Sequence, residues 1–302
     1  MAARPLTFAY ASRSFVGFLE GTGKSAHTIA NYRQDLGLFE RFVSQKVSRK
    51  LPGAKSLLVD QLTLRDLRTY ADYLKSQGFH DNTRRRRILT VRRFFEYLTR
   101  RGKLSVDLGK RVPAPHKIEK VPQIRDAEEL LKQVRGFEGG ALLQLRNRVL
   151  LSTLLETGCL VSEAAKLQFE QWDFEKSMLS VSGKSARQIP VSAQLLAEVA
   201  SLRERVSGKY LFLGFNRFGP LTATPMTPRG VELLVRAHSE RLGAPELTPR
   251  MIRHSVVVAW AKRGVEQEQI REWLGLKTDY AFRAYAPLFK LAAKSNVSTT
   301  ST

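Results

Sequence analysis

Apolar residues recur at steps of three and four through the first 110 residues of this 302-residue chain, and this periodicity constrains the fold more than any other feature. Such spacing places the apolar side chains on one face of a helix. A first helix around 8–19 is less cleanly patterned than those that follow. The clearest stripe consists of Ile29, Tyr32, Leu36, Phe39 and Val43.

Two further stripes complete a set of four helices. Residues 64–74 repeat the helical spacing, and Thr63 with Asp66 three residues later predicts an N-cap. Residues 88–98 carry another stripe, for which Thr83 is the expected cap. Four amphipathic helices in so short a stretch predict a small helical bundle over residues 1–112.

The periodicity fades after this bundle, while proline and glycine accumulate, which predicts a linker at 113–122. The following residues, 123–290, predict a mainly helical second domain with a small antiparallel sheet. Its expected strands are 172–174, 178–182 and 187–191. The last residues, 291–302, are poor in apolar content and are expected to be disordered. The predicted fold class is therefore mainly α, of the α+β type.

The charge of the chain favours a polyanionic partner. Lys and Arg total 50 against 28 Asp and Glu, a formal net charge of +22, and residues 1–112 hold 23 basic and 9 acidic side chains. A positive field of this size attracts polyphosphate, and the release of counterions favours DNA binding without reading its sequence. We therefore expect double-stranded DNA as a partner.

The third predicted stripe, at 88–98, belongs to a helix whose other side is strongly basic. A helix with one cationic side can lie in or across a DNA groove and contact phosphates or base edges. The alternative is a solvated basic face without a ligand. The predicted DNA-binding residues are Arg84, Arg85, Arg86, Arg87, Arg92 and Arg93.

The single cysteine, Cys159, excludes an intrachain disulfide and a cysteine-based zinc site and indicates a reducing compartment. No apolar run approaches the roughly 20 residues that span a bilayer. The N-terminus also lacks the apolar core of a signal peptide. We expect a cytoplasmic protein that uses no metal or cofactor and has no membrane partner.

The chemically distinctive segments lie in the second half. Residues 157–163 read T-G-C-L-V-S-E, residues 250–254 read R-M-I-R-H, residues 274–276 read L-G-L, and Tyr285 follows nine residues later. A Gly-Lys pair ending at Lys184 falls in the predicted turn between two strands. Together these segments resemble the signature of tyrosine recombinases of the phage integrase family, in which T-G-x-R-x-S-E, H-x-x-R-H and L-G-H precede a nucleophilic tyrosine. The resemblance covers nearly the whole chain, including a helical DNA-clamping N-terminal domain.

The resemblance implies roles for individual residues. Breaking a phosphodiester requires a nucleophile, cations for the developing charge and an acid for the leaving hydroxyl. Tyr285 lies at the nucleophile position, where it would form a 3'-phosphotyrosyl link to DNA. Arg253 would hold the scissile phosphate with its two-pronged guanidinium. Lys184 would protonate the leaving oxygen, while His254 is expected to orient or pack. Glu163 is expected to be a buried partner of a backbone or basic group.

Three positions depart from the family pattern and predict a degenerate active site. Leu160 replaces the first arginine, and an apolar side chain cannot compensate negative charge. Arg250 replaces a histidine and cannot act as a base, because arginine stays protonated. Leu276 replaces the second histidine. Losing one preorganised donor typically costs about a hundred- to thousandfold in rate, so strand cleavage is expected to be severely weakened.

Three functions stay open at this point. The first is a DNA-binding relative that acts by occupying a site, as a homo-oligomer or beside an active relative. The second is an active site-specific recombinase or integrase with an altered centre of Tyr285, Arg253, Lys184 and Arg250. In that centre Arg250 would fill the phosphate site vacated at Leu160, since it lies one helical turn before Arg253. The third is an architectural DNA-binding protein with no preferred site.

Overall fold

The structure, a computed structural model, describes residues 5–50, 56–118, 122–216, 219–278 and 282–299. The chain divides into two compact units, residues 1–120 and 121–302. Both consist mainly of helices, and the second also contains two small sheets. The mainly α fold with a small antiparallel sheet is confirmed. Within the described ranges, the helices are too short or too polar to cross a bilayer.

The first unit contains the four predicted helices: α1 Phe8–Gly21, α2 Ala26–Lys50, α3 Leu64–Ser76 and α4 Asp81–Arg100. Its core is aromatic. The ring centroids of Phe8 and Phe94 lie 5.1 Å apart, and those of Phe39 and Tyr70 lie 4.9 Å apart. Tilted and edge-to-face packing of this kind adds to the free energy of burying the rings. The core therefore joins all four helices.

Helix α3 begins as predicted, whereas α4 does not. The Asp66 N–H donates to Thr63 Oγ1 at 3.3 Å and the Thr63 N–H donates to Asp66 Oδ2 at 3.0 Å, which completes a capping box. The prediction of Thr83 as a cap was wrong, because α4 begins at Asp81 after His80. The acidic side chain in this first turn interacts favourably with the helix dipole.

The second unit contains eight helices in its described part. Helices α6 and α10 supply much of its core, since Val149, Leu150 and Val257 are fully buried. The helices are α5 Ala127–Arg135, α6 Leu142–Thr157, α7 Val161–Ala164, α8 Ala193–Arg205, α9 Pro228–His238, α10 Pro249–Lys262, α11 Gln267–Leu274 and α12 Ala286–Thr299.

The predicted three-stranded sheet is present, and a second sheet accompanies it. Strands β1 Trp172–Asp173, β2 Met178–Val181 and β3 Arg187–Pro190 pair antiparallel in that order. A two-stranded sheet of β4 Leu213–Asn216 and β5 Gly219–Pro225 was not predicted. Proline within a run argues against a strand, since it cannot donate to the ladder, and β5 contains two prolines.

The predicted linker and the predicted C-terminal tail both make contacts in their described parts. The described part of the linker, 113–118, forms no helix or strand, but Ile118 is tied to α4 by two hydrogen bonds with Asn82 at 2.9 and 3.1 Å. The tail predicted to be disordered from residue 291 differs from the structure, because α12 continues to Thr299 and buries Ala292 at 3% exposure. Residues 300–302 lie outside the described residues.

Candidate active site and nucleic-acid interface

Arg253 lies at the centre of the candidate site. Its helix, α10, begins after Thr248, whose Oγ1 accepts from the Met251 N–H at 3.2 Å, and Pro249 lies in the first turn. Its side chain is 5% exposed. The guanidinium donates to the Gly158 carbonyl at 2.5 Å, to the Leu274 carbonyl at 2.8 Å and to Tyr285 Oη at 3.0 Å.

Arg253 therefore brings together three of the segments singled out in the sequence. Gly158 belongs to T-G-C-L-V-S-E, and Leu274 belongs to L-G-L. Tyr285 lies half-buried beside them, and its ring contacts the His254 ring edge-on at a centroid distance of 5.8 Å. The Tyr285 hydroxyl is thus held beside the guanidinium of Arg253.

A cleft of about 770 Å³ opens at this point. Four of the predicted positions line it, together with His254 and two arginines of α9 that the sequence did not single out. These seven lining residues are Leu160, Arg229, Arg236, Arg250, Arg253, His254 and Tyr285. The cleft is therefore rich in guanidinium groups; Glu232 and Glu246 also line it, and Glu232 pairs with Arg229 at 2.9 Å.

Leu160 presents an apolar side chain to this cleft. It caps α7, and its N–H donates to Glu163 Oε2 at 2.8 Å. Its side chain is 47% exposed. An exposed leucine offers no hydrogen-bond donor, so the position contributes neither charge nor hydrogen bonds to a ligand in the cleft.

Arg250 is exposed at the mouth of the same cleft. It lies three residues before Arg253 on α10, which places the two side chains on neighbouring parts of the helix surface. Within the described residues, the structure shows no ion pair that engages Arg250. Its guanidinium is therefore available to an anion.

Lys184 and Leu276 are not among the residues that line the described cleft. Lys184 is exposed in the turn between β2 and β3, which is closed by the Ala186 N–H and the Gly183 carbonyl at 3.2 Å. Leu276 is half-buried after Gly275 and packs against the core of the second unit. The structure thus brings together Tyr285, Arg253, Arg250 and Leu160, and leaves these two apart.

His254 is a neutral side chain at ordinary pH. Burial, reinforced by the positive charges of Arg250 and Arg253, lowers the pKa of His254 from 6.5 to about 4. The ring is 9% exposed and lies against Tyr285. An imidazole in this environment accepts a proton only at acidic pH.

This shift predicts that acid destabilises the second unit through His254. Between pH 6.5 and about 4 the unfolded chain binds a proton at His254 and the folded chain does not, so stability falls as pH falls through this window. The loss is of the order of 2 to 4 kcal/mol when fully developed. We expect His254→Gln to remove most of it, as measured by urea unfolding at about pH 7 and about pH 4.5. His238→Gln on α9 is the control, and an equal acid sensitivity in the two variants would contradict the prediction.

Sequence reasoning left the partner of Glu163 unnamed, and that partner is Arg187 on β3. Both oxygens of Glu163 accept from the guanidinium, at 2.7 and 2.8 Å. Burial alone would raise the pKa of Glu163, but the hydrogen bonds and charge of Arg187 lower it below its ordinary value. The only sequence signal was an acidic residue expected to be buried beside a basic group.

The arginines of the basic helix α4 have more intramolecular partners than the sequence suggested. Arg84 pairs with Asp81, and Arg85 donates to the Pro115 carbonyl at 2.7 Å. Arg86 and Arg87 both approach Asp35 of α2, at 2.6 and 3.7 Å. Each residue of the Arg84–Arg87 run therefore has a partner inside the first unit.

Arg87 and Arg93 of this helix differ in the exposure of their side chains. The Arg87 side chain is 12% exposed and its guanidinium lies 3.8 Å from the Phe79 ring centre, so it belongs to the interior. Arg93 is exposed and donates to the Tyr32 hydroxyl, and Arg92 is half-buried. Of the six arginines predicted to contact DNA, Arg93 is the exposed one, and the Arg86 side chain is 40% exposed. Their contact with DNA stays a prediction.

Known proteins are similar to this chain in sequence over most of its length. The tyrosine recombinase XerC of Chromobacterium violaceum is 27% identical over 272 residues, which cover 88% of this chain and 85% of that protein. The XerC of Pseudomonas aeruginosa is 27% identical over 256 residues, covering 83% and 80% of the two chains.

Solved structures with the same fold are more distant in sequence. A Tn1549 transposon integrase in complex with circular intermediate DNA superposes with a TM-score of 0.68 at 16% identity, covering 93% of this chain and 95% of that one. A lambda integrase dimer bound to a COC' core site gives a TM-score of 0.66 at 13% identity, covering 93% and 77%.

Family models match both units. The model of the phage integrase N-terminal SAM-like domain matches residues 13–102, and the model of the phage integrase family matches residues 123–290. The second match alone covers more than half of the chain. The chain therefore belongs to the phage integrase family, the tyrosine recombinases.

Proposed function

We propose that this chain is a DNA-binding tyrosine recombinase whose strand cleavage and rejoining are severely weakened. The observation that carries the proposal is Leu160, an apolar side chain 47% exposed in the cleft that also holds Arg253 and Tyr285. Negative charge developing on a phosphate there would meet no guanidinium at the position of the family's first arginine.

The other departures point in the same direction. Arg250 lines the cleft where the family pattern has a histidine, and a guanidinium cannot accept the proton of the tyrosine. Leu276 is half-buried against the core and carries no titratable group. The rate contributions of catalytic groups that act as one unit are not additive. The loss of three such groups therefore leaves the remaining residues able to support little catalysis.

The residues that would grip DNA are retained. Arg253 stays fixed by three hydrogen bonds, and the cleft adds the guanidinium groups of Arg250, Arg236 and Arg229. The structural neighbours include integrases solved on DNA. We propose that the partner is double-stranded DNA. This chain would bind it alone, as a homo-oligomer or beside an active relative.

A second candidate function is an active recombinase with an altered centre. It is favoured by Arg250, which lies in the cleft near Arg253 and Tyr285 without an ion-pair partner in the described part of the chain. Its guanidinium could take the phosphate oxygen that Leu160 cannot reach. Lys184 would then have to approach from its exposed turn when DNA binds.

Covalent trapping separates the two candidates. The purified chain is incubated with labelled DNA carrying a nick next to the cleavage position, so that cleavage cannot be reversed, and is then denatured and run on a gel. We expect no labelled protein, with Tyr285→Phe as the matched control. A labelled band present in the wild type and absent in Tyr285→Phe would favour the altered active centre.

An architectural protein without a preferred site is the remaining alternative. Competition binding tests it, because a specific complex resists excess random DNA at moderate salt and a non-specific one does not.

A further inference from the structure

Arg187 makes more hydrogen bonds than its place at the start of a short strand requires. Its side chain is 5% exposed. The guanidinium donates to Glu163 Oε1 at 2.7 Å, to Glu163 Oε2 at 2.8 Å and to the Trp273 carbonyl at 2.6 Å. It also donates to the Ser185 carbonyl at 3.0 Å. A planar fork of five N–H groups suits several fixed acceptors, which a single ammonium cannot serve together.

These acceptors belong to three separate segments of the candidate site. Glu163 also accepts the N–H of Leu160, at the start of α7. Trp273 precedes Leu274, whose carbonyl holds Arg253 at 2.8 Å. Ser185 follows Lys184 in the turn between β2 and β3. A single guanidinium therefore links the lysine turn, the segment of Leu160 and the segment that holds Arg253.

The end of α11 lies directly against this link. Gly275 ends the helix with a φ of +67°, a conformation that side chains rarely adopt. A Cβ atom there would lie 2.9 Å from Ser185 Cβ and 3.0 Å from Arg187 Nη1. The two segments are thus packed closely enough that a movement of one displaces the other.

We infer that Arg187 is a positioning residue that fixes the Lys184 turn to the segments carrying Leu160 and the carbonyl partner of Arg253. That these segments face DNA rests on the proposed function, whereas the link itself rests only on the contacts above. Without Arg187 the turn would move independently of the cleft. An ordinary buried ion pair would instead affect the stability of the whole unit evenly.

Hydrogen exchange of the full chain without DNA tests this inference. In Arg187→Gln we expect at least tenfold faster exchange in three segments, 160–163, 183–187 and 273–276, and unchanged exchange in α6 and α8. Arg135→Gln is the matched control, since Arg135 pairs with Glu156 at 2.8 Å in the same unit. Uniformly faster exchange across the unit, or no change in the three segments, would overturn the inference.

A milder variant keeps the test decisive if Arg187→Gln does not fold. Arg187→Lys keeps the charge but not the fork, so we expect acceleration in the same three segments, smaller than in Arg187→Gln. Exchange equal to the wild type would count against the inference. The DNA affinity of Lys184→Ala is measured separately. An unchanged affinity would contradict the approach of Lys184 to bound DNA in the second candidate function, whereas the exchange pattern would still test the role of Arg187.

Discussion

Restoring the three family residues together, as Leu160→Arg, Arg250→His and Leu276→His, is expected to increase covalent cleavage of nicked DNA by at least about a thousandfold. One preorganised donor typically contributes about a hundred- to thousandfold in rate. Leu160 is 47% exposed, so an arginine at this position needs no rearrangement of the core. The measurement is the amount of denaturation-resistant protein–DNA adduct formed over time.

Two controls make this gain specific. Adding Tyr285→Phe to the restored variant should abolish the adduct. Leu233→Arg alone adds on α9 the positive charge that Leu160→Arg adds in the cleft, at a leucine that is 50% exposed, and should leave cleavage unchanged. A restored chain that cleaves no better than the wild type would show that the departures at these three positions are not what limits the reaction.

DNA binding is expected to weaken by about 10³- to 10⁵-fold between 50 and 200 mM salt, the range for a protein that contacts six to ten phosphates. Fluorescence anisotropy with labelled duplex at several salt concentrations measures the slope. Arg93→Ala should lower the slope by about one, as loss of one phosphate contact does. A flat response would contradict the predicted basic interface.

Arg87→Ala is the matched control on the same helix. Its side chain is 12% exposed and lies between Asp35 and the Phe79 ring, so its loss should destabilise the first unit and leave the salt slope unchanged. The pair of variants separates arginines that face solvent from those that hold α4 to α2. A smaller slope in Arg87→Ala would place that side chain on the DNA instead.

Much of the fold could be predicted from local sequence patterns. The apolar stripes of α2, α3 and α4 were visible at helical spacing, and the Thr63 cap follows from residues within one turn. The three-stranded sheet was predicted because its strands are joined by short turns. These features depend on neighbours in sequence, which is where pattern reasoning is strongest.

Ion pairs between residues that are far apart in the chain could not be predicted from the sequence. Nothing in the sequence near Arg87 indicates that its side chain would be buried beside Asp35, about fifty residues upstream. Nor does the sequence of β3 indicate that Arg187 pairs with Glu163. The resemblance to the family did identify Arg253 and Tyr285, which the structure joins by a hydrogen bond. It did not indicate that Lys184 would lie outside the lining of the described cleft.

Two of the three acceptors that hold Arg253 are main-chain carbonyls, at Gly158 and Leu274. An amino-acid exchange alters a side chain and leaves the peptide oxygen in place. The orientation of this guanidinium is therefore insensitive to most substitutions in its surroundings, and only a new path of the backbone would release it. A cleft anchored in this way can lose other polar side chains one at a time and still keep a cation aimed at the same point.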